Sequence, residues 1–85
     1  MPVNKNAFDR YRFLEHCFRN KQRRYNIDSL VDYVSEKLGY NISLRQIRED
    51  ICNMKITFAA PIKAIKYNGN KSYYVYTDSD FSIFG

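Results

Sequence analysis

Apolar residues recur at helical spacing in three successive stretches, and the spacing then changes to that of paired strands. In the first stretch Ala7, Tyr11, Leu14 and Phe18 share one face with Cys17 beside them, which predicts a helix from near Ala7 to around Asn20. Asn6 stands where a capping side chain is wanted. After the polar run Lys21-Gln22-Arg23-Arg24, Tyr25 has room for only a very short strand. The second stretch carries the stripe Ile27, Leu30, Val31, Val34 and Leu38, while Asp28, Asp32 and Glu36 line another face. Gly39 supplies the left-handed residue that ends this helix.

The link Tyr40-Asn41-Ile42 leads to Ser43-Leu44-Arg45-Gln46, which fits a capping box with the serine hydroxyl and the glutamine side chain satisfying amides reciprocally. Behind it Leu44, Ile47, Ile51 and Met54 predict one buried face, opposite Arg45, Gln46, Arg48, Glu49 and Asn53. Two helices joined by about four residues, the second capped and polar-faced, make a helix-turn-helix pattern. The segments 62–67 and 72–76 are rich in β-branched and aromatic residues, and Asn68-Gly69 between them predicts a hairpin. A two-residue turn at Asn68-Gly69 sets Lys66 directly across from Lys71, a repulsive pair that nearby phosphates would relieve. The predicted fold is α+β: a winged helix-turn-helix, with a three-helix core and a C-terminal two-stranded β-hairpin wing. Phe81, Ile83 and Phe84 are large apolar residues in a terminal tail, which predicts that the tail packs on something beyond this domain.

Charge sharpens the picture. The 85 residues carry a net charge of +5, and all of it lies in residues 1–24, where seven basic side chains face two acidic ones. The remainder is neutral, yet from Lys55 to Thr77 it holds four lysines and no acid. Two basic regions, one toward each end, suit a surface that meets a polyanion. With 45% hydrophobic residues the chain can bury a small core, which argues against disorder. It contains no apolar run long enough to span a membrane, and Met1 to Lys5 has no apolar signal-peptide core. Cys17 and Cys52 match neither a zinc clip nor a disulfide framework and read as reduced thiols of a cytoplasmic protein.

The candidate chemistry is recognition. A major groove about 12 Å wide admits one helix, where arginine reads guanine and glutamine or asparagine reads adenine. Ser43, Arg45, Gln46, Arg48, Glu49 and Asn53 are therefore the candidate base-reading face, with Glu49 able to accept from cytosine or to pair with Arg45. Lys66, Asn68, Asn70 and Lys71 give the hairpin tip the charge to lie along a phosphate backbone. Arg23 and Arg24, in the dense basic run with Arg19 and Lys21, either contact phosphate or hold a surface turn open. Arg10 and Arg12 are assigned to a solvated face of the first helix, and the tyrosines to packing rather than base stacking. His16 has only Glu15 and Cys17 beside it, and sequence neighbours do not face each other on a helix, so neither catalysis, a metal site nor a cofactor is expected.

Several segments together resemble a known family. Met1 to Ala7 with Arg10-Tyr11-Arg12, the helix Ser43 to Met54, Ala60-Pro61-Ile62, Tyr73-Tyr74 and Tyr76 to Ile83 are similar to Bacteroidetes-type bacterial transcriptional regulators with a WYL domain. The resemblance implies an N-terminal winged helix domain over residues 1–77 that binds double-stranded DNA. Helix 43–54 would enter the major groove and hairpin 62–76 would lie on the backbone. Residues 78–85 would begin a linker to a C-terminal WYL domain that holds the ligand-sensing role, and a homodimer is compatible with such a regulator. The other reading of the fold is a protein-interaction or dimerisation module. Two departures from the family pattern stand out: Leu44 replaces a polar or basic residue, and Ile56-Thr57-Phe58 lacks the glycine often found before Ala60-Pro61-Ile62.

Overall fold

Each apolar stripe becomes the buried side of a helix in the computed structural model, which describes residues 5–20, 22–69, 71–78 and 80–84. Helix α1 spans Lys5–Arg19, α2 spans Ile27–Leu38 and α3 spans Leu44–Thr57. The three stripes meet around Leu14, Cys17, Phe18, Leu30, Val34, Ile47 and Met54, all shielded from solvent. Helix α1 begins at Lys5, so Asn6 lies inside its first turn instead of capping it. Asparagine costs little within a helix, so its preference for caps does not set the boundary.

The turn between α2 and α3 is fixed at both ends. Asn26 caps α2 by accepting from the Ser29 amide at 2.8 Å, and Gly39 ends it with φ +83°. The Ser35 hydroxyl then accepts from the Ile42 amide at 2.9 Å, holding the connection against α2. Ser43 caps α3 by accepting from the Gln46 amide at 3.0 Å. Only this half of the expected capping box forms, because the Gln46 side chain turns inward to Asp50. A buried carboxylate outcompetes a backbone amide at the exposed helix start, since the hydrogen bond it accepts is charge-assisted. Helix α3 also runs a turn beyond Met54 and ends where Ala59 takes φ +54° before Pro61.

Strands β1 (Ile62–Asn68) and β2 (Lys71–Tyr76) form the antiparallel wing. Tyr25 and Asn26 flank β2 on its other side through one bridge, Asn26 to Tyr73, and the Tyr74 amide donates to the Tyr25 carbonyl at 2.9 Å. Register in the wing runs from Ile62 opposite Tyr76 to Lys66 opposite Ser72, and then shifts so that Asn68 faces Lys71. The expected Lys66–Lys71 pair is thus corrected. Gly69, at φ +59°, takes the first loop position, which moves the turn one residue along and leaves Tyr67 as the extra residue of a bulge.

The tail differs from expectation too. Phe81 and Ile83 pack against the core of this same domain, and the Phe81 ring meets Tyr76 edge-on at 5.4 Å. Glu15, buried on α1, accepts from the Tyr76 hydroxyl (3.1 Å), the Ser82 hydroxyl (2.7 Å) and the Ile83 amide (2.8 Å). The tail finds its surface on α1 because Glu15 supplies acceptors for its polar groups as its rings are buried.

Candidate nucleic-acid interface

On α3 the residues away from the core are Leu44, Arg45, Arg48, Glu49, Cys52, Asn53, Lys55, Ile56 and Thr57, so Leu44, expected on the buried face, instead stands exposed in the first turn. They divide along the helix. Arg48, Cys52 and Lys55 recur at four and three residues and border the wing, sharing with Ile51 and Tyr74 a cleft between α3 and β2. Asn26, Ile27, Asp28, Lys71 and Ser72 continue the cleft beyond Arg48. Lys66 lies across from Ser72, and because strand side chains alternate, it shares the sheet face of Ser72 and Tyr74. The cleft thus holds Arg48, Lys55 and Lys71, with Lys66 on the adjoining sheet face and Asp28 as its acidic rim.

Arg45 and Glu49 lie farther from the wing and pair at 3.3 Å, one turn apart, with Arg45 89% exposed at its side chain. Such an exposed pair contributes little to stability, about 0.3–0.5 kcal/mol, and leaves both groups available to a partner. Asn53 extends the same exposed surface, and Ser43 is occupied as the cap of the helix.

Gln46 is half-buried, and its Nε2 donates to Asp50 Oδ1 at 3.0 Å. Asp50 is 1% exposed and is gripped by the guanidinium of Arg10 on α1, Nε to Oδ2 at 2.5 Å and Nη2 to Oδ1 at 3.1 Å. The hydrogen bond to Asp50 raises the Arg10 pKa above its ordinary value and outweighs the opposing effect of burial. Arg10, assigned from its type to a solvated face, is thus a buried residue. Its signal was its position, three residues after Ala7 and four before Leu14 on the core stripe.

Arg23 and Arg24 stand on the other side of the wing. The Arg24 guanidinium covers the Tyr73 ring at 4.9 Å and that of Arg23 covers Tyr25 at 5.0 Å. With Arg19 and Asn20 they border a groove floored by Ile65, Tyr73 and Val75. The structure therefore does not bring Arg23 and Arg24 to the cleft of Arg48. Asn70 and Lys21 lie outside the described residues.

Lys55, Tyr74, Asn26 and Ser72 line the cleft without having been singled out in the sequence. Lys55 carried a signal, since it falls seven residues after Arg48 on one helix face, whereas Tyr74 was indistinguishable from the other wing tyrosines.

In comparison with protein families, residues 6–77 fit the model of the N-terminal winged helix domain of WYL domain-containing proteins. No curated protein and no solved structure matches the chain.

Proposed function

We propose that this chain, which belongs to the family of N-terminal winged helix domains of WYL domain-containing proteins, binds double-stranded DNA in a sequence-specific way as the reader of a transcriptional regulator. Helix α3 enters the major groove and the wing lies on the adjacent backbone. The observation that carries this reading is the cleft in which Arg48 and Lys55 of α3 face Lys71 and Tyr74 of β2. Three cations, Arg48, Lys55 and Lys71, border the cleft, and a phosphate backbone neutralises them while releasing its counterions. Arg45, Arg48, Glu49 and Asn53 read base edges, with Ser43 and Gln46 at the helix start. Lys66, Asn68, Asn70 and Lys71 hold the backbone, and Arg23 and Arg24 extend the contact only if the duplex curves round the wing. Residues 78–85 lead on to a WYL domain, in keeping with a family described as N-terminal.

Fluorescence anisotropy of a labelled random duplex tests this. Affinity is expected to fall steeply between about 50 and 200 mM salt, as it does for proteins that neutralise several phosphates. Absence of binding at the lowest salt would remove the reading. A second reading, a protein-interaction module, is favoured by Ile56, which stands 76% exposed on α3. It expects self-association or partner binding through α3 and an anisotropy that duplex does not change.

A further inference from the structure

The start of α3 holds a glutamine whose amide cannot turn. Gln46 Nε2 lies 3.0 Å from Asp50 Oδ1, and Asp50 is held in place by two hydrogen bonds from Arg10. An ionised carboxylate accepts hydrogen bonds and donates none, so the amide must direct its NH2 toward Asp50. Its carbonyl oxygen then points away from the carboxylate. One of the two N–H groups is spent on Asp50, and the other has no partner among the described residues. A free glutamine can offer donors or an acceptor by rotating its amide; this one offers a fixed pattern.

Resting on the duplex reading, we infer that Gln46 is a specificity-determining residue that selects an amino base, adenine ahead of cytosine, and that Asp50 and Arg10 are its positioning residues. In the major groove the base donors are the N6 amino group of adenine and the N4 amino group of cytosine. The outward carbonyl of Gln46 accepts from either. Guanine O6 and thymine O4 present acceptors at the same edge and are repelled by it. Adenine adds N7, an acceptor for the unspent N–H, and so satisfies both groups of the amide while cytosine satisfies one. The lock is already formed in the free chain, so the glutamine does not have to lose amide rotation when it binds.

The test is selection of bound sequences from a random duplex library by the 85-residue chain and by its Gln46→Ala and Asp50→Asn variants. The native chain is expected to enrich adenine, then cytosine, at one position of the selected site. Gln46→Ala loses that preference, about tenfold at that position, and keeps the preferences at the other positions. Asp50→Asn can offer its own NH2 to the glutamine, which frees the amide to turn, so guanine and thymine become tolerated there. Guanine or thymine enriched at the Gln46-dependent position overturns the inference, as does an enriched site indifferent to Gln46→Ala. A library yielding no enriched site overturns the sequence-specific duplex reading and the inference together. Should Asp50→Asn not fold, hydrogen exchange of the Gln46 side-chain amide in the native 15N-labelled chain decides the positioning role. One proton slower than the other is expected, and equal, fast exchange of both overturns it.

Discussion

At the residue scale, Ala59 is the position where the backbone asks for something its side chain resists. Its φ of +54° follows from two neighbours: the Ala60 amide turns back to the Met54 carbonyl at 3.1 Å, and Pro61 cannot continue a helix. The glycine missing before Ala60-Pro61-Ile62 is thus felt in the structure, which adopts a left-handed turn there without it. An L-residue in that region costs about 1–2 kcal/mol, whereas glycine gives back part of the relief as unfolded-state entropy. Ala59→Gly is expected to stabilise the chain by about 0.5–1 kcal/mol, read as a higher melting temperature; a lower one would refute the strain. Cys17 sets a second expectation. Burial pushes its thiol from 9.0 up to about 12, against smaller opposing effects of a Tyr25 hydrogen bond and of Arg23. The Tyr76 hydroxyl moves the same way, through burial and the nearby Glu15. The unfolded thiol loses its proton first, so stability is full below pH 9 and falls as pH rises from about 9 to about 12. Denaturant midpoints across that window should decline in the native chain and decline less in Cys17→Ala. In the folded chain a thiol reagent should label exposed Cys52 well before Cys17.

At the element scale, the helices were legible and the wing's register was not. The stripes of α2 and α3 could be read because a face buried by several large residues leaves one rotation of the helix open. A hairpin has no such redundancy. Asn68-Gly69 fits a turn at the expected place, yet Gly69 serves equally well as the first loop residue, and one step changes which side chains face each other. That step separates Lys66 from Lys71 and removes their direct repulsion across the strands. Lys71 borders the cleft beside Arg48 and Lys66 shares the adjoining sheet face, which argues for backbone contact. Lys66→Ala with Lys71→Ala is expected to lower affinity for every duplex alike. Each phosphate contact contributes roughly 0.9 to the slope of log affinity against log salt, so the pair should flatten it by up to about 2. An unchanged slope in the double variant would take the wing off the backbone. The candidate site was legible to the same degree: α3 showed its exposed face, but the cleft depends on how α3 and β2 approach, which no local pattern encodes.

At the scale of the whole molecule, α1 ties the domain together through charged groups that type alone assigns to solvent. Glu15 joins it to β2 and the tail, and Arg10 joins it to α3 through Asp50. Both were hidden from a reading that sorted residues by charge, although Glu15 falls among Tyr11, Leu14 and Phe18, and Asp50 among Ile47, Ile51 and Met54. The Ile83 amide, donating to buried Glu15 at 2.8 Å, is expected to exchange slowly in dilute monomer. Fast exchange there would mean that the tail is not part of the core. The Arg10–Asp50 pair gives the sharper test, because the two ways of removing it differ in sign. Asp50→Ala leaves a guanidinium 5% exposed without its partner, and breaking a buried pair on one side typically costs about 3–5 kcal/mol. Replacing both at once, Arg10→Met with Asp50→Leu, removes the charge that needed compensation and substitutes apolar packing of similar volume. That double change is expected to be nearly neutral, within about 1–2 kcal/mol of the native chain, since the desolvation of two ions offsets much of their attraction. Chemical denaturation of the single and double variants reads the difference directly. If the double variant is as unstable as Asp50→Ala, the pair stabilises the fold outright; if it is stable, the pair's contribution lies in holding Gln46 at the start of α3.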